Sequence, residues 1–265
     1  MILLLSPAKR QAQPGDPSLL DVCHQESVPI FPEEARSLRK ALSVLSPAEL
    51  RSVFSLSEKK AKEVYRVYQG ETAKTRALDL FRGPAFTSLL RDGFSERTCA
   101  AAERSLRILS GLYGLLRPFD RVESYRLDLE HRVPGLVPES LYEQWREKVN
   151  QALLNEPALD RDPVLLDLAS KEYSALIDDE ALANRGIRRI APDFLTLRDG
   201  KEKHLSVHTK QGRGGLARVV LDSEASSPGW NMQELERTLR TARWEGFRYD
   251  DSRSTPARPL FVKEA

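Results

Sequence analysis

Residues 109–118 constrain the fold more than any other stretch of this chain. They read Leu-Ser-Gly-Leu-Tyr-Gly-Leu-Leu-Arg-Pro, so two glycines, Gly111 and Gly114, interrupt an apolar run. Glycine loses more conformational freedom on folding than any other residue and is unfavourable inside a helix. The pair therefore predicts a tight turn, or a place where the backbone approaches a ligand closely.

The segment before this turn has the pattern of an amphipathic helix over residues 95–109. Its apolar residues share one face: Cys99, Ala102, Leu106 and Leu109. Its basic residues point the opposite way: Arg97, Arg104 and Arg107. A helix, a Gly-Leu-Tyr-Gly turn and a second apolar segment outline a helix-hairpin-helix, whose backbone N–H groups hold a DNA phosphate. The alternative is a glycine-punctuated turn of the core that carries no ligand.

The composition is typical of a globular protein that is neither disordered nor embedded in a membrane. Of the 265 residues, 40% are hydrophobic and 30% are charged. The apolar run at residues 2–5 is too short for a signal peptide or a membrane span and predicts a buried strand. Cys23 and Cys99 give no disulfide framework, which favours ordinary thiols in a reducing cytoplasm. A redox-sensing role for Cys23 is the alternative.

Charge is distributed unevenly, although 41 basic residues nearly balance 39 acidic ones. Residues 185–218 contain nine basic and three acidic residues, which gives this segment a net charge of +6. Such a segment is a candidate electrostatic footprint for nucleic acid. In the alternative interpretation, acidic neighbours balance these charges in the folded protein.

No repeat or flexible linker divides the chain, which predicts a single mixed α/β domain over residues 1–265. A long loop is expected over residues 11–32, and capping patterns mark helix starts at Ser46-Pro47-Ala48-Glu49 and at Ser55-Leu56-Ser57-Glu58. Further helices are expected at residues 71–81, 95–109, 138–154 and 232–242. Strands are expected at residues 164–168, 193–198, 203–208, 246–250 and 260–263, with Asp199-Gly200 as a hairpin turn.

The chain lacks three established motifs: a nucleophile elbow, a Walker loop and a dinucleotide fingerprint. His204 and His208 would share a strand face but lie too far apart to bind one metal. Gly212-Arg213-Gly214-Gly215 is similar to a phosphate loop opening a helix at residues 216–221, although a glycine turn with a surface arginine explains it equally well. Mixed charges over residues 117–132 are either an ion-paired surface or the wall of a polar cleft.

Several of these pieces, taken in order, resemble the YaaA family of bacterial peroxide-stress proteins. The chain opens on Met-Ile-Leu-Leu-Leu-Ser-Pro-Ala-Lys at residues 1–9, and residues 106–118 are similar to the most distinctive family motif. Later matches are Tyr125-Arg126-Leu127, Leu168-Ala169-Ser170-Lys171-Glu172-Tyr173, and Arg213-Gly214 before Arg218. Two positions depart from the family pattern: Gly83-Pro84-Ala85-Phe86 replaces Gly-Asp-Val-Tyr, and Asp167 replaces asparagine.

The resemblance implies an α/β fold with a positively charged cleft and a helix-hairpin-helix-like element. It also implies binding of double-stranded DNA without marked sequence preference, and a cytoplasmic role in limiting iron-dependent damage under peroxide stress. Phosphate contacts would then come from basic residues and nearby glycines: Lys9, Arg107, Gly111, Gly114, Arg117, Arg126, Lys210, Arg213, Gly214 and Arg218. A repair enzyme is a conceivable further partner, whereas no membrane partner is expected.

The rival hypothesis is an enzyme acting on a nucleotide or nucleobase-like small molecule. Its pocket would be lined by residues of the specific, weakly charged motifs: Ser6, Lys9, Tyr125, Arg126, Glu172 and Tyr173. Neither a cofactor nor a metal is expected, since the four histidines are scattered and the two cysteines are far apart. Convergence of these motifs on a pocket with a carboxylate and a lysine would favour the enzyme, and an open basic groove would favour DNA binding.

Overall fold

The apolar run at the N-terminus forms the central strand of the structure. All four side chains of strand β1 (Ile2–Leu5) are buried, which confirms the strand predicted from the sequence. A continuous apolar run is typical of a strand covered on both faces, because every side chain then lies in a dry environment. The computed structural model describes residues 1–13, 15–70, 73–136, 140–227 and 230–264.

Helices and short strands alternate along the chain. The other strands are β2 (Arg10–Gln11), β3 (Thr75–Arg76), β4 (Phe81–Arg82), β5 (Leu106–Ser110), β6 (Gly114–Leu116), β7 (Arg121–Val122), β8 (Val164–Asp167), β9 (Arg188–Ile190), β10 (Asp193–Arg198), β11 (Lys201–Lys203), β12 (Arg243–Trp244), β13 (Phe247–Tyr249) and β14 (Leu260–Glu264). The helices are α1 (Pro32–Ser43), α2 (Pro47–Val53), α3 (Glu58–Gln69), α4 (Ala77–Leu80), α5 (Pro84–Leu89), α6 (Glu96–Ser105), α7 (Leu141–Leu154), α8 (Pro157–Arg161), α9 (Lys171–Ser174), α10 (Asp179–Asn184), α11 (Ser206–Ser226) and α12 (Met232–Thr241).

Two five-stranded sheets organise these elements into a mixed α/β fold. The first has the order β6-β5-β1-β8-β9, in which β1 is parallel to both β5 and β8. The second has the order β11-β10-β14-β13-β12. The long helix α11 contacts α5, α6, β1 and β10, so it links the two sheets. One cluster of buried apolar side chains accordingly extends from Met1 to Phe261.

The glycine-rich stretch forms a β-hairpin, so the helix-hairpin-helix expected there is wrong. Helix α6 ends at Ser105, and the next five residues form β5 instead of extending the helix to Leu109. Strand β6 then returns antiparallel to β5. Leu106 pairs with Leu3 of the central strand, and every residue of β5 is buried. Pairing with β1 therefore overrides the helical periodicity of the sequence, since it buries the whole segment.

Both hairpin glycines are required by close packing of the core. Gly114 has a φ of +68°, and a Cβ there would lie 2.5 Å from the Trp145 ring. A Cβ on Gly111 would lie 2.3 Å from the carbonyl oxygen of Leu127. Trp145 Nε1 donates to the carbonyl oxygen of Gly111 at 2.9 Å. The close approach inferred from the sequence is thus made by the protein's own core.

The second half of the chain contains the predicted hairpin and a helix that is longer than the one expected at residues 216–221. Asp199 and Gly200 both have positive φ, as a type I′ turn requires. The returning strand ends at Lys203, and residues 206–226 form α11, so the phosphate loop expected at Gly212–Gly215 is wrong. These glycines let the helix pack closely: a Cβ would lie 2.4 Å from Phe194 at Gly212 and 1.8 Å from the Ala85 carbonyl oxygen at Gly214.

Local signals predicted other helices with mixed success. The capping box at Ser46 is present, and α12 matches its prediction closely. The capping pattern expected from Ser55 is shifted, because Ser57 is the N-cap of α3. The helix expected at residues 71–81 is wrong for the described residues, which form β3, the short α4 and the start of β4. Residues 71–72, and residues 138–139 of the helix expected at 138–154, lie outside the described part of the chain.

The two cysteines form a disulfide, which corrects the expectation of two ordinary thiols. Cys23 lies in the loop before α1 and Cys99 in α6, with their Cα atoms 5.7 Å apart at a sequence separation of 76. Each is 1% exposed. Sequence separation alone gives no indication of this contact, because it depends on the loop folding back onto α6. The bond closes a long segment that includes the first three helices.

We expect this disulfide to contribute substantially to stability. Closing a loop of this length lowers the entropy of the unfolded chain, which corresponds to about 4 kcal/mol in the chain-entropy model. Reduction, or Cys23→Ser, should therefore shift the denaturant midpoint downwards. Urea unfolding with and without a reductant measures the effect. Identical midpoints for the oxidised and reduced protein would contradict the expectation.

Candidate functional site

The loops after β1 and β8 meet at the carboxyl edge of the first sheet. Strand β1 pairs with β5 on one side and with β8, which comes later in the chain, on the other side. In open α/β sheets, ligands bind at such a topological switch point. Ser6 Oγ accepts the backbone N–H of Ser170 at 2.7 Å and donates to Ser170 Oγ at 3.1 Å, so the two loops are fixed to each other.

A cavity of about 410 Å³ opens at this point, within the usual size range of small-molecule sites. It brings together parts of five sequence regions: the loop after β1, the start of α5, the segment after β7, the loop after β8, and α11. Its polar lining residues are Ser6, Lys9, Arg10, Arg82, Asp128, Ser170, Glu172, Tyr173, Lys210 and Arg213. Four of the six residues of the predicted small-molecule pocket therefore line one cavity: Ser6, Lys9, Glu172 and Tyr173.

One end of the cavity carries cations that lack acidic partners. Arg10, Arg82, Lys210 and Arg213 form no ion pair with any residue that the structure describes. Arg213 is the most deeply placed, and burial lowers the pKa of its guanidinium. The charges of Asp167 and Asp193 act in the opposite direction and raise this pKa, and Asp167 is itself paired with Arg189 at 2.7 Å. A half-buried cation without an ion-pair partner is costly, and a bound anion would offset that cost.

The other end of the cavity carries carboxylates around a single ammonium group. Lys9 Nζ lies 3.2 Å from Asp128 Oδ2 and 3.7 Å from Glu130 Oε1. Tyr173 Oη donates to Asp128 Oδ1 at 3.2 Å. Burial raises the pKa of Glu172, and the negative charges of Asp128 and Glu130 raise it further. Its Oε1 is buried without a hydrogen-bond partner among the described residues.

Asp128, Glu130 and His131 place one donor atom each within 4.8 Å of one another. The Lys9 ammonium already lies against both carboxylates. His131 Nδ1 accepts the backbone N–H of Asp128 at 2.8 Å, so that nitrogen is occupied as well. The lysine and the backbone N–H thus already engage these donor atoms, and we assign the cluster no metal.

The other two residues of the predicted pocket lie along a second, larger cavity. It has a volume of about 740 Å³ and shares Lys9 and Arg82 with the first cavity. Tyr125 is buried, and its Oη lies 2.8 Å from Ser110 Oγ. Arg126 borders this cavity, and its Nε is buried without a hydrogen-bond partner in the described ranges. Tyr125 therefore supports the wall of this cavity, whereas Arg126 keeps an N–H group that can donate to a ligand.

Several residues expected to contact DNA phosphates are engaged within the fold. Arg107 is buried and forms a two-pronged ion pair with Glu156, at 2.5 and 2.6 Å. Arg117 Nε lies 3.2 Å from Asp120 Oδ1, and its Nη2 donates to the carbonyl oxygen of Val28. Gly111, Gly114 and Gly214 are buried by their packing contacts.

The basic segment 185–218 is balanced in part by acidic neighbours. Four of its nine basic residues form ion pairs with other elements or within the same helix: Arg185 with Asp160, Arg188 with Glu236, Arg189 with Asp167, and Arg218 with Asp222. Arg218 also stacks on the ring of Phe94. Lys210 and Arg213 are the members of this segment that face the cavity.

Three residues of the site escaped the sequence analysis as site candidates: Arg10, Arg82 and Asp128. Asp128 belongs to the mixed-charge stretch for which a polar cleft was one interpretation. Arg82 immediately precedes the Gly83-Pro84 departure, where Pro84 begins α5 at the cavity wall. The other departure, Asp167, forms a structural ion pair with Arg189 and accepts the backbone N–H of Ala169 at 2.9 Å.

No helix in the described part of the chain is long and apolar enough to cross a membrane. The fold and the cleft define a mixed α/β protein with a polar cavity at a topological switch point. The chain belongs to the peroxide stress protein YaaA family, whose model matches residues 1–253.

Similar proteins from distant bacteria share the full length of this chain. A UPF0246 protein of Shewanella loihica is 32% identical over 271 residues, which cover 100% of this chain and 99% of the relative. A UPF0246 protein of Parabacteroides distasonis is 28% identical over 268 residues and covers 100% of both chains. The family resemblance seen in the motifs is thereby confirmed.

We expect Arg213→Met to stabilise the ligand-free protein by about 1 kcal/mol, because it removes an unpaired buried charge while keeping an apolar side chain. Arg218→Met on the same helix is the matched control. It should destabilise the protein, since it removes the ion pair with Asp222 and the interaction with Phe94. Thermal unfolding at low salt compares the two variants. Equal destabilisation by both would show that Arg213 is compensated in the native state.

Proposed function

We propose that this peroxide-stress family member binds a nucleotide in the cleft between the loops after β1 and β8. The observation that carries the proposal is the Arg213 guanidinium, which lies in the cavity wall without an ion-pair or hydrogen-bond partner in the described chain. Lys210 lies one turn earlier on the same helix face. Together they form a site for a phosphate group.

The opposite end of the cavity supports a nucleotide rather than a simple anion. Asp128 and Glu172 offer hydrogen-bond acceptors, which suit the amino groups of a base or the hydroxyl groups of a sugar. A ligand with a phosphate at one end and N–H or O–H donors at the other matches both ends. A plain phosphate or a dicarboxylate would leave one end unsatisfied.

Double-stranded DNA, bound without marked sequence preference, is the second candidate ligand. The larger cavity favours it, because Lys9 and Arg82 border both cavities and leave room beyond one nucleotide. Arg126 supplies an unpartnered donor along this continuation. In either case the role we propose is limiting oxidative, iron-dependent damage under peroxide stress. A nucleic-acid strand in the cleft would use the same phosphate site as a single nucleotide.

Titration calorimetry with AMP, and anisotropy with a short duplex over a salt series, distinguish these ligands. A Lys210→Ala, Arg213→Ala double variant should weaken AMP binding by about tenfold or more, since it removes charged hydrogen bonds to the phosphate. Arg117→Ala is the matched control and should leave AMP affinity unchanged, because Arg117 is engaged with Asp120.

Duplex binding through the cleft should weaken with salt, and the logarithmic slope should fall by about 0.9 for each phosphate that the double variant no longer neutralises. Absence of AMP binding to the native protein would overturn the nucleotide proposal. Duplex binding of equal affinity in the native protein and the double variant would show that DNA lies elsewhere on the surface.

A further inference from the structure

The acidic side chains around Lys9 outnumber the one ammonium group that can neutralise them. Asp128, Glu130 and Glu172 lie around one cation, Lys9, and the charges of the first two raise the pKa of the third. Carboxylates held this close repel one another, so the arrangement costs stability. Groups held at such a cost in a cavity are typical of catalytic sites.

The two carboxyl groups that border the cavity have different surroundings. Asp128 is 7% exposed, and its two oxygens contact the Lys9 ammonium and accept a hydrogen bond from the Tyr173 hydroxyl. Glu172 forms no ion pair with a described residue, and its Oε1 has no hydrogen-bond partner there. Its neighbours are Asp128, Glu130, Lys9 and the Tyr142 hydroxyl, which donates to its backbone carbonyl at 3.0 Å. Two carboxyl groups set apart in this way can act as a base and an acid.

Building on the proposed nucleotide binding, we propose that Asp128 and Glu172 hydrolyse the N-glycosidic bond of a nucleoside monophosphate whose phosphate lies at Lys210 and Arg213. The Asp128 carboxylate takes a proton from water as the water oxygen bonds to the anomeric carbon. The C–N bond breaks and its electron pair goes to the base, which receives the Glu172 proton. The products are a sugar phosphate and a free base, and one proton passes from Asp128 through solvent to Glu172.

The separation of the two ends favours this bond over the phosphate ester. Different charges act on the two groups: Asp167 and Asp193 on the pKa of Arg213, and Asp128 and Glu130 on that of Glu172. In the proposed complex the phosphate binds Arg213, and the sugar and base extend towards the carboxyl groups in the same cavity. Hydrolysis of a glycosidic bond needs a carboxylic acid at the leaving group and a carboxylate beside a positively charged transition state.

The test is release of free base from AMP, GMP, CMP and UMP by the full-length protein, followed by chromatography. Glu172→Gln should lower the rate by about a hundredfold or more while AMP affinity in calorimetry changes little, because the amide keeps the shape but cannot donate the proton. Glu143→Gln, at an exposed position of α7, is the matched control and should keep the native rate. The native rate should fall as the pH rises above the raised pKa of Glu172.

The surroundings of Glu172 can also be tested by thermal stability, a measurement that does not depend on catalytic activity. Because its pKa is raised in the folded state, the protonated carboxyl is favoured at low pH and its contribution is lost as the pH rises. Glu172→Gln should thus melt at a higher temperature than the native protein at pH 8, with the difference vanishing near pH 4. Equal melting temperatures at pH 8 would contradict the crowded carboxyl group on which the inference depends.

The outcomes separate this inference from the nucleotide proposal. Binding of AMP without release of base from any of the four nucleotides would overturn the hydrolysis and leave nucleotide binding intact. Release of base at the native rate by Glu172→Gln would remove Glu172 from the reaction. Failure of AMP, GMP, CMP and UMP to bind would overturn both proposals together.

Discussion

The pairing of β1 with β5 on one side and β8 on the other is the constraint on which the rest of the structure depends. It buries the N-terminal strand completely and forces residues 106–110 into an extended conformation. It also brings the ends of β1 and β8 to the same edge of the sheet, where Ser6 and Ser170 fasten the two following loops. The cleft is a direct consequence, because its polar residues come mostly from those loops and from α11, which packs beside them.

Electrostatics distinguishes the cleft from the rest of the surface. Three arginines of the basic segment at residues 185–218 pair with acidic residues away from the cavity: Arg185, Arg188 and Arg218. Their charges therefore contribute little attraction for a ligand. Lys210 and Arg213 line the cavity without acidic partners among the residues that the structure describes. Asp128 and Glu172 concentrate negative charge in the same cavity. A cavity lined by both cations and carboxylates suits a ligand that carries a phosphate and hydrogen-bond donors. The carboxylates limit the contacts that a DNA duplex can make with the same cavity.

Features with local causes could be predicted from the sequence, whereas features set by long-range contacts could not. The apolar run of β1 and the capping box at Ser46 are encoded by adjacent residues, and both are present. Residues 106–110 have helical periodicity but gain more by pairing with β1, and Gly212 reads as a turn but permits helix packing against Phe194. The Ser-Pro-Ala-Lys and Leu-Ala-Ser-Lys-Glu-Tyr motifs do meet at the site. Asp128 was not singled out as a site residue within the mixed-charge stretch, because sequence spacing does not reveal which residue of one loop contacts another loop.

The position of the phosphate in a crystal of the protein with bound AMP tests the central claim most directly. The account predicts phosphate oxygens within hydrogen-bond distance of the Arg213 guanidinium and the Lys210 ammonium, with the sugar and base directed towards Asp128 and Glu172. A phosphate bound in the larger cavity beside Arg126, with Arg213 still unpartnered, would contradict it.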